Sequence, residues 1–481
     1  MEAPAPTLNA SPDSPVAPDP KAAKRANYDL YLANVASGSL EATNKPVQLF
    51  LEVSSRCNLR CKKCGFAWDP SLAASGKDLP WPILSRMDDF FAAAVEVYTF
   101  GYGEMFLYPD LAPLVTVLKN HGCRLSGVTN GVLIRPADVV WLVATGYDHL
   151  AFSIDGGTEE TMQKLRGASL AKVLRALQLI HEEKQRRKAK LPNIVVNFVA
   201  QNDNIRELPD LVRQLSPLGI YFLGVNPLHH FFGIPGPYAP YYEEFRLGKV
   251  PRPEFEAIVE ESRVAAEAAG MVFQNFVNAD FEWQEEAHTE AAAVALHNHP
   301  SPEAAAEREP APVPVVDAPV AVAPADAEAP SVPAALPVVK EQALPPMYCH
   351  YPWTTLYLSA AGKARVCCYM SIHENLGDFA GDSSVDSAWN GPLLQSVREH
   401  IRDGRVHPAC SQCVPHRSYE MHAASMNPIR AELGILSPTA AEVVPEPAAQ
   451  APLAEEDGAL RRLLKRWRKA APAGDGSSPR P

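Results

Sequence analysis

A chain of 481 residues, 47% of them hydrophobic, has material for two or three domains and at least one substantial core. Its formal net charge of −12 argues against a general nucleic-acid binder, which carries a basic stripe or face. No apolar run is long enough to span a bilayer and the opening lacks a signal-type apolar region, so a cytoplasmic setting is expected, where nine cysteines serve as metal ligands or core thiols rather than disulfides.

Residues 1 to about 22 are Pro/Ala-rich and read as a disordered tail. From about 46 to 283, apolar strand-like runs alternate with amphipathic helical ones. Candidate strands are VQLFLEVS (47–54), VEVYTFG (95–101), RLSGVTN (124–130), HLAFSID (149–155), NIVVNFVA (193–200) and IYFLGVNP (220–227). Helical segments such as LAPLVTVLKNHG and LAKVLRALQLIHEEKQ lie between them. This alternation predicts right-handed βαβ units and a parallel sheet. Periodicity alone does not choose between a curved partial barrel and an open doubly wound sheet.

Residues 286–345 read as a low-complexity Ala/Pro linker. A second ordered region is expected over 346–435, followed by a flexible tail, 436–481. Within that tail, 459–470 places Leu460, Leu463, Leu464 and Trp467 on one helical face and bases on the other. Such a helix suits an anionic membrane surface or an acidic partner, or packing on its own domain.

Two cysteine sets carry the chemistry. CNLRCKKC places Cys57, Cys61 and Cys64 directly after the first strand, and loops at the carboxyl ends of parallel strands are where α/β folds place their sites. Three thiolates suit an iron–sulfur cluster with one iron left open. The alternatives are a zinc site completed by a distant residue, or reduced core thiols. The second set is Cys349, Cys367, Cys410 and Cys413, a closed complement of four that fits either an iron–sulfur cluster or a zinc ribbon. Cys368 is a possible substitute ligand for Cys367, and Cys123 is expected to be a packed thiol.

The C-x3-C-x2-C spacing after the first strand resembles the radical S-adenosylmethionine (SAM) enzymes. The resemblance implies a partial (β/α)6 TIM-like barrel of class α/β over 46–283, with a smaller C-terminal α+β domain. It implies a [4Fe-4S] cluster on Cys57, Cys61 and Cys64 whose open iron chelates SAM, and reductive cleavage to a 5′-deoxyadenosyl radical that takes hydrogen from a substrate. An external electron donor such as flavodoxin or ferredoxin is implied too. The residue before the third cysteine is usually aromatic in this family; here it is Lys63. Gly103 and Glu104 in GYGEM match the family turn that holds the SAM amino group, with Tyr102 and Met105 replacing its other residues. Ser153 and Asp155 in FSIDGG match the strand end that contacts ribose, and Arg166 in KLRG matches an arginine that pairs with the SAM carboxylate. The plain alternatives are a polar strand exit and a solvated helix-end arginine. Asn130 in VTNG reads as turn-forming.

C-x12-G-x4-C, then NLGD, AWNG and C-x2-C, resembles the SPASM and shorter Twitch domains of the same enzymes. Four cysteines imply one auxiliary [4Fe-4S] cluster, which accepts an electron or shapes the site. Sulfatase-maturating relatives have an aspartate where this chain has Cys368, which counts against that activity. The main functional expectation is dehydrogenation or epimerisation of a sugar- or alcohol-type small molecule. The alternative is maturation of a ribosomally made peptide; residues 1–45 are too short and polar for a leader-binding domain, which a separate partner would then supply. From another class, a non-catalytic zinc or Fe–S protein is the rival. His229, His230, Phe231 and Phe232 either line the substrate mouth or form a plain surface loop.

Overall fold

The computed structural model describes residues 20–65, 76–228, 238–277, 283, 349–367, 370, 375–379, 384–410, 426 and 429–435. The expected linker, the basic helix 459–470, the His229–Phe232 segment, Cys368 and Cys413 lie outside these residues.

All six predicted strands are present: β1 (Gln48–Leu51), β2 (Glu96–Tyr98), β3 (Arg124–Thr129), β4 (His149–Ser153), β5 (Asn193–Ala200) and β6 (Phe222–Pro227). Each pairs in parallel with its neighbour in sequence. A doubly wound sheet needs a reversal of strand order, and none occurs among these six strands. A sheet wound always in one direction curls into a partial barrel, which decides between the two architectures that periodicity left open. A seventh parallel strand, β7 (Val272–Asn275), extends the wall beyond β6.

Three of the strands alternate strictly. β3, β4 and β5 read partly exposed, buried, partly exposed along their length. Leu49, Leu51, Val97, Leu125, Leu150 and Phe152 bury one face completely, under helices that include α3 (Leu111–Asn120), α4 (Pro136–Thr145) and α6 (Leu170–Arg187). The residues between them, among them Phe50, Tyr98, Ser126, Ser153 and Asn197, are partly exposed and form the inner face.

Two features join regions far apart in sequence. Helix α1 (Pro20–Ser37), whose first turn falls inside the stretch expected to be a disordered tail, docks on the core. Its Lys24 is buried and its ammonium caps helix α2 (Asp88–Ala93) at the carbonyls of Phe91 and Ala94. Cys123 sits beside it with its thiol on the Phe91 carbonyl (3.3 Å), a packed thiol as expected.

The second feature is the C-terminal region, which shares the sheet rather than forming a separate one. Strand β8 (Thr355–Leu358) pairs in parallel with β1 over four residues, and β9 (Lys363–Arg365) and β10 (Gly377–Asp378) follow antiparallel. The order is β10-β9-β8-β1-β2-β3-β4-β5-β6-β7. Residues 39–47, just before β1, are clasped from the same side. Arg398 on α11 (Pro392–Arg402) is fully buried and donates to the carbonyls of Leu40, Pro352 and Trp389. Trp353 donates to the Ser39 carbonyl, and Trp389, which ends α10 (Val385–Trp389), to that of Asn44. Buried carbonyls with charged or indole donors are costly to separate, so the two regions are held as one body at this seam.

Candidate active site

The site is built at the carboxyl ends of β1 to β4. Past β1, the chain is pinned before it reaches the first cysteine. Ser54 bonds Asp78 (2.7 Å), Arg56 forms a two-point ion pair with the same carboxylate, and the Ser55 amide donates to the Lys77 carbonyl. The GYGE turn after β2 then presses against this segment. A Cβ on Gly103 would lie 2.1 Å from the Ser54 carbonyl oxygen and 2.6 Å from that of Arg56, backbone atoms that cannot yield. Gly101 is constrained in the same way by the Glu52 side chain. Both glycines are required by close approach. Glu52 spans the gap on the other side, accepting from the amides of Tyr102 (2.9 Å) and Ala360 (3.0 Å), so the turn is tied to the loop after β8 as well.

Glu104 is 2% exposed, and its carboxylate accepts from Thr129 Oγ1 (2.7 Å) and from the amides of Asn130 (2.8 Å) and Phe106 (3.2 Å). Burial pushes its pKa up against those bonds. It latches the ends of β2 and β3 together. Asn130 accepts from the Val132 amide and donates to Asn58 in the cysteine loop (2.9 Å), so it forms a turn, as expected, and also steadies the loop.

Cys57, Cys61 and Cys64 lie on this loop as partly exposed, unbridged thiols. The Leu59 amide points at Cys57 Sγ (3.5 Å), and the Cys64 amide closes a turn on the Cys61 carbonyl. Burial raises the pKa of Cys57, and the neighbouring Glu104, Cys61 and Cys64 add to that. The loop is fastened to the end of helix α5 (Glu159–Arg166): the Lys62 amide donates to Leu165, and Cys61 Sγ lies 3.7 Å from the Arg166 carbonyl. Gly167, with φ of +67°, ends α5 in a left-handed turn and sets Arg166 at its last position.

Arg166 is not a solvated helix end. It is 7% exposed and donates to Asp155 Oδ2 (2.5 Å). The ammonium of Lys63 meets the same oxygen at 2.6 Å. The Val199 amide takes Asp155 Oδ1 (2.9 Å). Burial alone would raise the Asp155 carboxyl; Lys63 and Arg166 hold it below its usual range. Burial lowers Lys63 to about 8, with Asp155 opposing the shift. One anion between two cations leaves a net positive charge beside the thiols, for both Lys63 and Arg166 sense Cys61. Arg166 Nε is buried without a partner. Ser153, two residues back on β4, faces the same space, paired in register with Asn197 of β5. The sequence reading aligned Ser153, Asp155 and Arg166 with SAM contacts. The geometry engages both oxygens of Asp155 within the protein; Ser153 lies on the inner face, and Arg166 Nε has no hydrogen-bond partner among the described residues. The role of Lys63 was missed, because its partner is 92 positions away; its one sequence signal was that it replaces an aromatic.

The donor set fits an iron–sulfur cluster at the first loop. Among the described residues no three Cys, His, Asp or Glu side chains converge on a point, as one bound ion would demand; thiolates on separate corners of a polynuclear cluster need not converge. The cationic surroundings and the amide aimed at Cys57 suit anionic sulfur.

In the C-terminal region, Cys349 is buried just before the helical turn that leads into β8, Cys367 lies two residues past β9, and Cys410 closes the turn Pro408–Cys410.

Two family models match the chain: the radical SAM superfamily over residues 51–215 and an iron–sulfur cluster-binding domain, SPASM, over 349–414. The chain carries a radical SAM domain followed by a SPASM domain. [4Fe-4S] clusters and SAM are the cofactors these two domains imply. It is similar to the tungsten-containing aldehyde ferredoxin oxidoreductase cofactor-modifying protein of Pyrococcus furiosus, 30% identical over 37% of this chain and 51% of that one. It is also similar to the mycofactocin maturase MftC of Mycobacterium tuberculosis, 29% identical over 36% and 43%, and to the PqqA peptide cyclase of Bradyrhizobium diazoefficiens, 27% identical over 39% and 47%. The matched region spans about half or less of each relative's length. Among the described residues of this radical SAM protein, no helix is long and apolar enough to cross a membrane.

Proposed function

We propose that this radical SAM protein modifies a peptide, by abstracting hydrogen from one of its side chains or its backbone. The observation that carries the chemistry is the cysteine loop at the carboxyl end of the barrel, with its buried Lys63–Asp155–Arg166 group. The peptide is supported by relatives named as a maturase and a peptide cyclase, which favour it over the small-molecule substrate that was the main expectation from sequence.

When bound, a cluster on Cys57, Cys61 and Cys64 together with SAM supplies a primary carbon radical, which the protein itself cannot generate. The chain's own residues position and shield. Arg166 would receive a carboxylate of SAM, supported by the unpartnered Nε, and the Ser153 hydroxyl would meet its ribose. Gly103 lets the turn after β2 approach the loop closely, where its backbone is available to an amino group. Lys63 and Arg166 together would balance anionic groups beside the cysteine loop. The SPASM cysteines Cys349, Cys367, Cys410 and Cys413 would hold a second cluster, able to take up an electron from the substrate. A flavodoxin or ferredoxin is the class of donor such chemistry requires.

The test is mass spectrometry of the anaerobically reconstituted protein with SAM, dithionite and a synthetic copy of a short peptide encoded beside its gene. A loss of two mass units, or a new crosslink, with stoichiometric 5′-deoxyadenosine is expected. Unchanged peptide, with turnover of a neighbouring pathway's sugar or alcohol instead, would replace this reading with the small-molecule one.

A further inference from the structure

Across the inner face, four side chains from four adjacent strands stand in one row. Tyr98 on β2 stacks on Phe50 of β1 (4.3 Å between ring centroids), Phe50 lies face on to Tyr357 of β8 (6.4 Å), and the guanidinium of Arg365 on β9 sits over the Tyr357 ring (4.6 Å). The register requires this order, since Phe50 opposes both Tyr98 and Tyr357, and Tyr357 opposes Arg365. Phe100 meets Phe50 edge-on at the rim. The row therefore runs from the radical SAM strands into the SPASM hairpin, and ends in a cation.

That cation differs from the other buried arginines. Arg166 has Asp155, and Arg398 is spent on three carbonyls and Asn390. Arg365 is 6% exposed, its Nη1 is buried without a hydrogen-bond partner, and among the described residues no carboxylate pairs with it. A buried guanidinium without an anion is costly, and the face of one tyrosine compensates only part of that cost. A wall of rings that positions a fixed guanidinium, one of whose buried nitrogens has no hydrogen-bond partner among the described residues, is an arrangement that receives a carboxylate.

We infer that Arg365 is the anion-binding end of a substrate subsite on the inner face, and that it takes a carboxylate side chain of the peptide. The inference rests on the peptide reading above. It gives the SPASM hairpin a direct part in substrate recognition, since the arginine enters the barrel only because β8 pairs with β1.

The test titrates the reconstituted holoprotein by calorimetry with three probes: N-acetyl-glutamate amide, its isostere N-acetyl-glutamine amide, and succinate. The glutamate probe is expected to bind at least about tenfold more tightly than the glutamine probe, as a hydrogen bond to a charged group implies. Arg365→Gln should erase that difference and Arg365→Lys should keep part of it. Because no carboxylate among the described residues pairs with the wild-type guanidinium, Arg365→Gln should melt at or above the wild-type temperature. Equal affinities for the two capped probes, or an unchanged preference in Arg365→Gln, would overturn the subsite. So would a changed auxiliary-cluster spectrum in Arg365→Gln with probe binding intact, which would assign the arginine to that cluster. Succinate binding as tightly as the glutamate probe, still dependent on Arg365, keeps the subsite and removes the peptide reading instead.

Discussion

The two ends of the inner face both bury a carboxylate, and they treat it oppositely. At the carboxyl end, Asp155 sits between Lys63 and Arg166 and is held ionised below its usual range. At the amino end, Glu96 has Arg124 only at 3.8 Å and is otherwise bonded to the hydroxyls of Tyr98 and Ser126 (2.9 Å each); burial pushes its pKa up. There Arg124 instead donates to the ring of His149 (2.7 Å). The amino end closes on itself as a polar plug. The carboxyl end carries surplus positive charge next to three thiols. Depth of burial does not separate the two ends; the charge balance does, and it separates a structural plug from a reactive site.

The largest effect should come from closing the approach at the reactive end. Gly103→Ala places a methyl group on the carbonyls of Ser54 and Arg56, so the cysteine loop must move. Iron bound at the first cluster, read by its visible absorption after reconstitution, should fall severalfold while the second cluster loads normally. Next, Asp155→Asn leaves two buried cations uncompensated and should destabilise the protein by about 3–5 kcal/mol. Glu96→Gln, at the plug, keeps its hydroxyl partners and should cost about 1 kcal/mol. Similar costs in denaturant melts would erase the contrast between the ends.

A subtler probe is Lys63→Met. Adding an electron to a cluster is favoured by a nearby cation. Loss of this one should lower the first cluster's midpoint potential, on the order of tens of millivolts, without moving the second; redox titration followed by electron paramagnetic resonance reads it. The smallest effect belongs to the plug. Burial first, then Arg124 and Lys119, press His149 from 6.5 to about 3. The unfolded chain takes up this proton below pH 6.5 and the folded one only near 3, so stability is lost as pH falls through that window. His149→Gln, which cannot be protonated, should flatten the decline in melting temperature between about pH 7.5 and 5.5.

Local pattern made much of this legible. Period-two alternation located six strands, the segment 193–200 to the residue, and the cysteine spacing pointed to the family whose model matches residues 51–215. What sequence could not reach was decided by pairing at long range. Nothing in Thr355–Leu358 says that it will lie beside Gln48–Leu51, three hundred residues earlier, and so nothing in the sequence places Arg365 against Tyr357 inside the barrel. Val272–Asn275 was passed over because it buries no residue fully and shows no in–out alternation. The assignment of Asp155 to a cofactor hydroxyl followed from its strand position, which is sound for where it lies; which oxygens are already engaged depends on Lys63 and on the Val199 amide, and those are facts of the folded state. The choice of peptide over small molecule came from relatives, since neither pattern nor geometry names a substrate.

The account stands on the proposed cluster site at Cys57, Cys61 and Cys64, and one measurement reaches it directly. The protein is reconstituted anaerobically with iron and sulfide, and dithionite-dependent formation of 5′-deoxyadenosine from SAM is measured for the wild type, for Cys57→Ala/Cys61→Ala/Cys64→Ala, and for Cys410→Ala/Cys413→Ala. Wild type and the Cys410/Cys413 variant should both form 5′-deoxyadenosine, and the first-loop variant none. Zinc in place of iron, or cleavage that survives loss of the three loop cysteines, would contradict it.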